Sequence, residues 1–367
     1  MVKARSPEAH EFNDVVEFLN TQLRENNTTW TIKAEYPTAL TPSNIHNMSI
    51  ITDEADEHKI ISHALLKPII TKTPQAIYKI GAIGSVVTAP EYRNQGLSSL
   101  NMQNCLAKAT AQNCDLVVLW TDKHDFYRKF GFELAGFENT YVFDHELPQQ
   151  TVHTKFITGP QVDPVALLKL YSQHSVGSIR TIEDMYQYMK IPNTQIYTAW
   201  SNTNQLLAYA IEGKGVDLQS FIHEWGGQVS ALIDLISYMT KTENKAFHLM
   251  VPQHAQNLRA TLDKMGVFCH RGFLGMIRIH DFDSIAVKVK KAFRAEGFDQ
   301  IVLEKQNNQI VFGYGSDLYT LDHESDLAKI LFGPTQIQDM TFIQPQTRDI
   351  FAKVLPMPIW VWGWDSI

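Results

Sequence analysis

Val86-Val87-Thr88-Ala89-Pro90-Glu91-Tyr92-Arg93-Asn94-Gln95-Gly96-Leu97-Ser98-Ser99-Leu100 is the stretch whose reading decides the fold. Its β-branched residues end a strand, and Pro90 stops the ladder because it has no N–H to donate. From Gly96 onward the spacing predicts a helix to Gln112, with Leu97, Leu100, Met102, Leu106 and Ala109 near one face. The first N–H groups of a helix have no intrahelical acceptor, and the macrodipole is positive there, so such a start attracts anions. Glycine at that point removes the Cβ that would hold a phosphate off the backbone. Arg93, with the Asn94 and Gln95 amides, adds donors. The segment reads as a pyrophosphate cradle, against the plainer reading of a strand–loop–helix turn that R-x-x-G alone would also fit.

Working outward, Val15–Arg24 is expected as a helix capped by Asn13 or Asp14. Met48–Thr52, Lys59–Lys67 and Ile77–Thr88 are expected as strands. After the cradle come a strand at Asp115–Trp120, a short helix at Asp125–Phe130 stopped by Gly131, and a strand at Phe132–Phe143. Pro148–Thr151 reads as a linker. A second segment follows: a helix at Pro164–Tyr171, a hairpin of Gln195–Trp200 with Gln205–Glu212, and a helix at Val229–Thr240. It closes with a strand at Ala246–Val251, a helix at His254–Met265 and a strand at Gly266–Ile279. This repeats the order of the first without obvious identity. A third segment from about Asp281 has helices at Ser284–Ala295 and Ser325–Leu331, a hairpin at Asn307/Asn308, and a tryptophan-rich end.

The chain has 367 residues, enough for two or three domains, with 39 acidic and 32 basic residues and a net charge of −7. That sign argues against a nucleic-acid partner, which needs a basic surface. Three cysteines without a CxxC pair make no disulfide framework, and no metal site is expected. The start Met1-Val2-Lys3-Ala4-Arg5 has no apolar core of a secretory signal, and no run reaches the length of a membrane span. A cytoplasmic protein is the expectation.

Two short motifs, in order, give the cradle weight: R-x-x-G at Arg93–Gly96, and, one strand later, Tyr127-Arg128-Lys129-Phe130-Gly131-Phe132. Arg93, Gly96, Tyr127, Gly131 and Phe132 match the pattern of the GNAT acetyltransferase superfamily, and the first segment resembles it over residues 45–143. Ser98 departs from that pattern, which usually has glycine or alanine there. The whole chain resembles the enhanced intracellular survival type of this superfamily. That resemblance implies an α/β (α+β) chain in three parts: an active acetyltransferase domain at 1–148, a degenerate GNAT-like mixed-sheet domain at 149–281, and a smaller sterol carrier protein-like α+β domain at 282–367.

The resemblance further implies acetyl-CoA as co-substrate. Its pantetheine would lie between splayed strands ending at Val86–Val87 and Leu119–Trp120, with an N–H near Val87 facing the oxyanion. Val86, Val87, Arg93, Asn94, Gln95, Gly96, Leu97 and Ser98 would bind it. Tyr127 would protonate the departing thiolate, since a tyrosine stays protonated at neutral pH. The Ile367 carboxylate would take the proton of the amine; a tail that only packs between domains is the equal alternative, and would leave His124 or Asp125 as the base. Trp30, Glu35 and Tyr36 fall where an acceptor pocket is expected, and an aromatic with a carboxylate suits a cationic amine. The acceptor is expected to be an amine-bearing small molecule or peptide. A non-catalytic CoA sensor or lipid-carrying scaffold is the competing reading, and a homo-oligomer stays open. Phe221–Val229, with Gly226 and Gly227 but no arginine three residues earlier, reads as a dead copy of the cradle. Trp360, Trp362 and Trp364 alternate as on one strand face, and packing is their expected role.

Overall fold

The computed structural model describes residues 3–25, 29–56, 59–148, 154–243, 245–307 and 309–367. The linker expected at Pro148–Thr151 lies largely outside these residues, as does Asn308 of the expected hairpin.

The first segment begins with α1 (Phe12–Leu23) and the single turn α2 (Ile32–Glu35). Helix α1 starts earlier than expected: Glu11 takes the N-cap position, and Asn13 and Asp14 lie inside the helix. Strands β1 (Met48–Asp53), β2 (Lys59–Lys72) and β3 (Ile77–Thr88) form an antiparallel set. Helix α3 (Leu97–Ala111) then returns to β4 (Leu116–Leu119), which runs parallel to β3. Helix α3 buries Leu97, Asn101, Met102, Cys105 and Ala109. Asn101 is inside the face because its amide joins buried hydroxyls: it donates to Ser62 Oγ at 2.8 Å and accepts from Ser49 Oγ at 2.7 Å. The short α4 (His124–Arg128) follows.

The strand expected over Phe132–Phe143 is broken into β5 (Glu133–Ala135) and β6 (Glu138–Phe143), turned at Gly136. The second segment has β7 (Lys155–Thr158), β8 (Gly177–Ser178), β9 (Gln195–Trp200), β10 (Leu206–Lys214), β11 (Asp217–Gly227) and β12 (Phe247–Pro252). The strand expected over Gly266–Ile279 is likewise split, into β13 (Cys269–Gly272) and β14 (Gly275–Ile279). The two splits serve an exchange. β14 inserts between β4 and β5 of the first sheet, and β6 inserts between β12 and β13 of the second. Among the described residues each of these sheets has seven strands, the first including β8 from the second segment, which pairs with β2. A boundary at 148 therefore divides the sequence but not the first two sheets, whereas every strand after 281 belongs to the third sheet.

The third segment packs helices Phe282–Ala295, Glu324–Phe332 and Pro345–Val354 around a sheet of β15 (Ile301–Gln306), β16 (Gln309–Tyr314) and β17 (Asp317–Leu321). Residues 355–367 leave it and run between the first two segments without joining a sheet. The one-face strand expected for the tryptophans is thus not formed, but all three are buried. Trp362 meets Trp225 edge-on at 5.3 Å, and Trp364 stacks on Tyr188 at 5.6 Å. These rings find apolar cover from several directions, which a single strand face would not give. No helix among the described residues is long and apolar enough to cross a membrane.

Candidate active site

The site begins with a defect in β3. His63, Ala64 and Leu65 of β2 face Gly84, Ser85, Val86 and Val87 of β3, one residue more, so the ladder bulges. Ser85 takes up the bend at φ 51°. The buried His63 holds the bend by donating from Nδ1 to the Ser85 carbonyl at 2.9 Å, and burial pushes its pKa down to about 4, so it stays neutral. Pairing of β3 with β4 covers only Ile80–Ala82 against Leu116–Val118. Past Ala82 the two strands part.

A cavity of about 470 Å³ opens there, lined by Val86, Val87, Thr88, Arg93, Asn94, Gly96, Leu97, Ser98, Lys123 and Tyr127, among others. Gly96 caps α3 at φ 77°, and a Cβ built on it would meet nothing within 4 Å. The space in front of the free N–H groups is open, as a phosphate requires. Arg93 Nε donates to the Thr88 carbonyl at 3.2 Å, which folds the loop back on the strand. Ser98 turns its hydroxyl inward to Thr88 Oγ1 at 2.8 Å, so the departure from glycine or alanine adds no bulk to the cradle's open side. Gln95 is exposed and does not line this cavity.

A second cavity, about 500 Å³, lies on the other side of the gap. The first segment supplies Arg24, Tyr36, Gly84, Trp120, Asp122 and Glu138, the second supplies Lys214, Asp217, Leu218, Met250 and Leu274, and the tail supplies Val361, Gly363, Ser366 and Ile367. Leu23, Val86, Lys123 and Tyr127 line both cavities. Tyr127 is 8% exposed, and its ring is braced edge-on by Phe126 and Phe132. Burial, with Asp122 near, pushes its pKa up to about 12.

A Cβ on Gly84 would fall 2.9 Å from the Ile367 carbonyl carbon. Only glycine lets the tail approach the bulge so closely. The tail is anchored by Asp365, which accepts from Arg180 Nη2 at 2.7 Å, from Tyr188 at 3.0 Å and from Ser178. Arg180 also pairs with Glu224, and all three charges are buried.

Residues 3–135 match the acetyltransferase (GNAT) domain. The match supports acyltransferase activity in general and takes in the bulge, the cradle and Tyr127. Over the whole chain, the fold is shared with a GCN5-related N-acetyltransferase from Anabaena variabilis (TM-score 0.67, 14% identity, all of both chains). It is shared also with a probable N-acyltransferase from Enterococcus faecalis V583 (0.63, 14%, 99% of this chain and 98% of that one). Eis1 from Mycobacterium abscessus aligns at 0.61 with 10% identity, over 97% and 96% of the two chains. No curated protein matches the chain in sequence.

Within residues 3–135, the other expected residues separate. Tyr36 lines the second cavity, donating its hydroxyl to Asp217. Glu35 is fully buried and does not line it. Its carboxylate takes Arg24 Nε and Nη2 at 3.0 and 2.9 Å and the Trp30 indole at 2.9 Å, so Glu35 and Trp30 position Arg24. Asp125 points to solvent and pairs with Arg128 at 2.8 Å. Neither it nor His124 lines either cavity. Missed from the sequence were Asp122, Glu138, Lys214 and Asp217. Burial pushes the Glu138 carboxyl up to about 7 although Thr140 donates to it at 3.0 Å. The second segment, expected to be a degenerate copy, supplies part of the wall of the second cavity. Among the described residues, no group of three or more His, Cys, Asp or Glu is placed to hold a metal ion.

Proposed function

We propose that the chain is an acetyl-CoA-dependent N-acetyltransferase acting on an amine of a small molecule or peptide. The observation that carries this reading is the meeting of two cavities at Val86, Lys123 and Tyr127, one ending in an anion cradle and the other edged by Asp122, Glu138 and Asp217. A CoA-binding scaffold needs only the first. Acetyl-CoA would place its pyrophosphate at Gly96–Ser98 and its thioester beside Val86–Val87, with a bulge N–H facing the oxyanion. The amine nitrogen attacks the thioester carbon, a C–N bond forms, and the C–S bond breaks. The Tyr127 hydroxyl gives its proton to the departing thiolate, and the Ile367 carboxylate takes the proton from the amine. Exchange with solvent then returns Tyr127 to the phenol and Ile367 to the carboxylate, so that, net, one proton moves from amine to thiol. For residues 282–367 we keep the sterol carrier protein-like reading, a fold-level analogy that assigns no ligand.

The test is thiol release from acetyl-CoA across a panel of amines. Release that requires the amine is expected. Release that is absent for every amine, or indifferent to it, overturns the assignment.

A further inference from the structure

Lys214 ends β10 in the second segment, 1% exposed, at the wall of the acceptor-side cavity. Its Nζ donates to the Gly363 carbonyl at 2.9 Å, to the Ser366 carbonyl, and at 3.4 Å to Ser366 Oγ. The Ser366 hydroxyl has already spent its hydrogen on the Gly363 carbonyl at 2.6 Å, so it can only accept. Its Nζ also lies over the face of the Tyr36 ring, 4.7 Å from the centroid. Every partner is therefore electron-rich: two carbonyls, a lone pair and a π face. An ammonium satisfies all of them. A neutral amine would turn its own lone pair on one of them.

The grip falls where direction is decided. The Ser366 carbonyl and the Ile367 nitrogen and Cα share one peptide plane. Fixing that oxygen fixes where Ile367 goes, and Ile367 lies against Gly84 at the bulge. Arg180 holds the tail by the Asp365 side chain; Lys214 holds its backbone, one residue nearer the reaction.

We infer that Lys214 is a positioning residue for acetyl transfer: its ammonium orients Ile367 toward the acceptor, and losing the proton slackens the site. This rests on the reading of Ile367 as the proton acceptor. The charged state is contested. Burial and the Lys67 ammonium, with Arg180 behind it, draw the Lys214 pKa down to about 7, while Asp365 and Asp217 oppose them; His223, packed nearby, stays neutral. Raising the pH through that value should remove the clamp.

Four chains test this: Lys214→Met, Lys214→Arg, a chain with glycines appended after Ile367, and that extended chain carrying Lys214→Met, each checked for a cooperative melt and acetyl-CoA affinity. Lys214→Met should lower kcat at least tenfold while acetyl-CoA affinity stays within twofold. Lys214→Arg, charged at every pH, should restore much of kcat and remove the alkaline decline of the kcat profile, which a merely structural residue would not move. In the glycine-extended chain Lys214→Met should cost no more than a further twofold, because the residue it aims is already displaced. A native kcat for Lys214→Met, or an unchanged alkaline limb for Lys214→Arg, overturns the proposal. So does full additivity with the extension. A native rate for the extended chain alone instead sinks the Ile367 reading. If Lys214→Met does not fold, the arginine profile decides.

Discussion

The two repeats follow the same path of strand, helix and parallel strand, yet treat the resulting gap in opposite ways. In the first, β3 and β4 pair over three positions and then separate around two cavities. In the second, β11 and β12 pair over two positions, and the gap beyond is tied shut. Trp225 on β11 reaches across and donates its indole N–H to the Met250 carbonyl of β12 at 3.0 Å. The tail lies against the same place: the Gly363 N–H donates to the His223 carbonyl at 3.3 Å, and Trp362 packs on Trp225. One gap leaves its polar backbone facing open cavities, and the other satisfies that backbone with an indole and the chain's own tail. The difference comes from what fills the wedge rather than from the strands.

The comparison breaks most completely at Gly96. Gly96→Glu sets a charge where phosphate would lie and forces a side chain onto φ 77°. Acetyl-CoA binding by calorimetry should disappear in the folded variant, and near-native affinity would reject the cradle. Trp225→Ala tests the other side. Removing this buried ring should cost about 3–5 kcal/mol of stability, yet acetyl-CoA should still bind once per chain, because no basic loop waits behind the indole. A stoichiometry of two would mean that tryptophan alone separates the repeats.

Tyr127→Phe should lower kcat roughly 10²-fold or more with acetyl-CoA affinity close to native. An unchanged rate would show that the thiolate leaves unaided. The smallest effect is shared by both repeats. Each buries a neutral histidine beneath its gap: His63, and His223, whose Nε2 donates to Gly213 at 2.9 Å. Burial lowers both pKa values, to about 4 and about 3. The unfolded chain therefore takes up protons that the native one refuses, and stability falls as pH drops below about 6.5, by up to roughly 1.4 kcal/mol per histidine per unit. His63→Asn should melt with a visibly shallower loss between pH 6.5 and 4.5 than the parent, and parallel curves would refute the assignment.

What could be read from the sequence was what lies close along the chain. Arg93 to Ser98 and Tyr127 to Phe132 are local arrangements, and strand–loop–helix chemistry places them without knowledge of the rest. The bulge was not legible, since Gly84-Ser85 looks like an ordinary irregularity until His63, from the neighbouring strand, is seen to hold it. Glu138, Lys214 and Asp217 were not legible for a topological reason. They reach the acceptor-side cavity only because strands are exchanged and a hairpin of the second repeat folds over α2. Glu35 misled because a carboxylate near an aromatic looks the same whether it faces a substrate or an internal arginine. The tail's burial was expected, but its passage outside any sheet was not, since alternating tryptophans imitate a strand.

The strand exchange bears on how the molecule can be made. As the chain emerges from a ribosome, β4 and β5 are complete more than a hundred residues before β14, which must lie between them. Until then the first sheet has a vacant lane with two unpaired edges, the kind of surface that recruits strands from other chains. The second sheet is in no such position, because β6 precedes every strand it joins. Maturation is thus asymmetric: of the two seven-stranded sheets, the one begun first is finished last, and a strand of the second segment closes it.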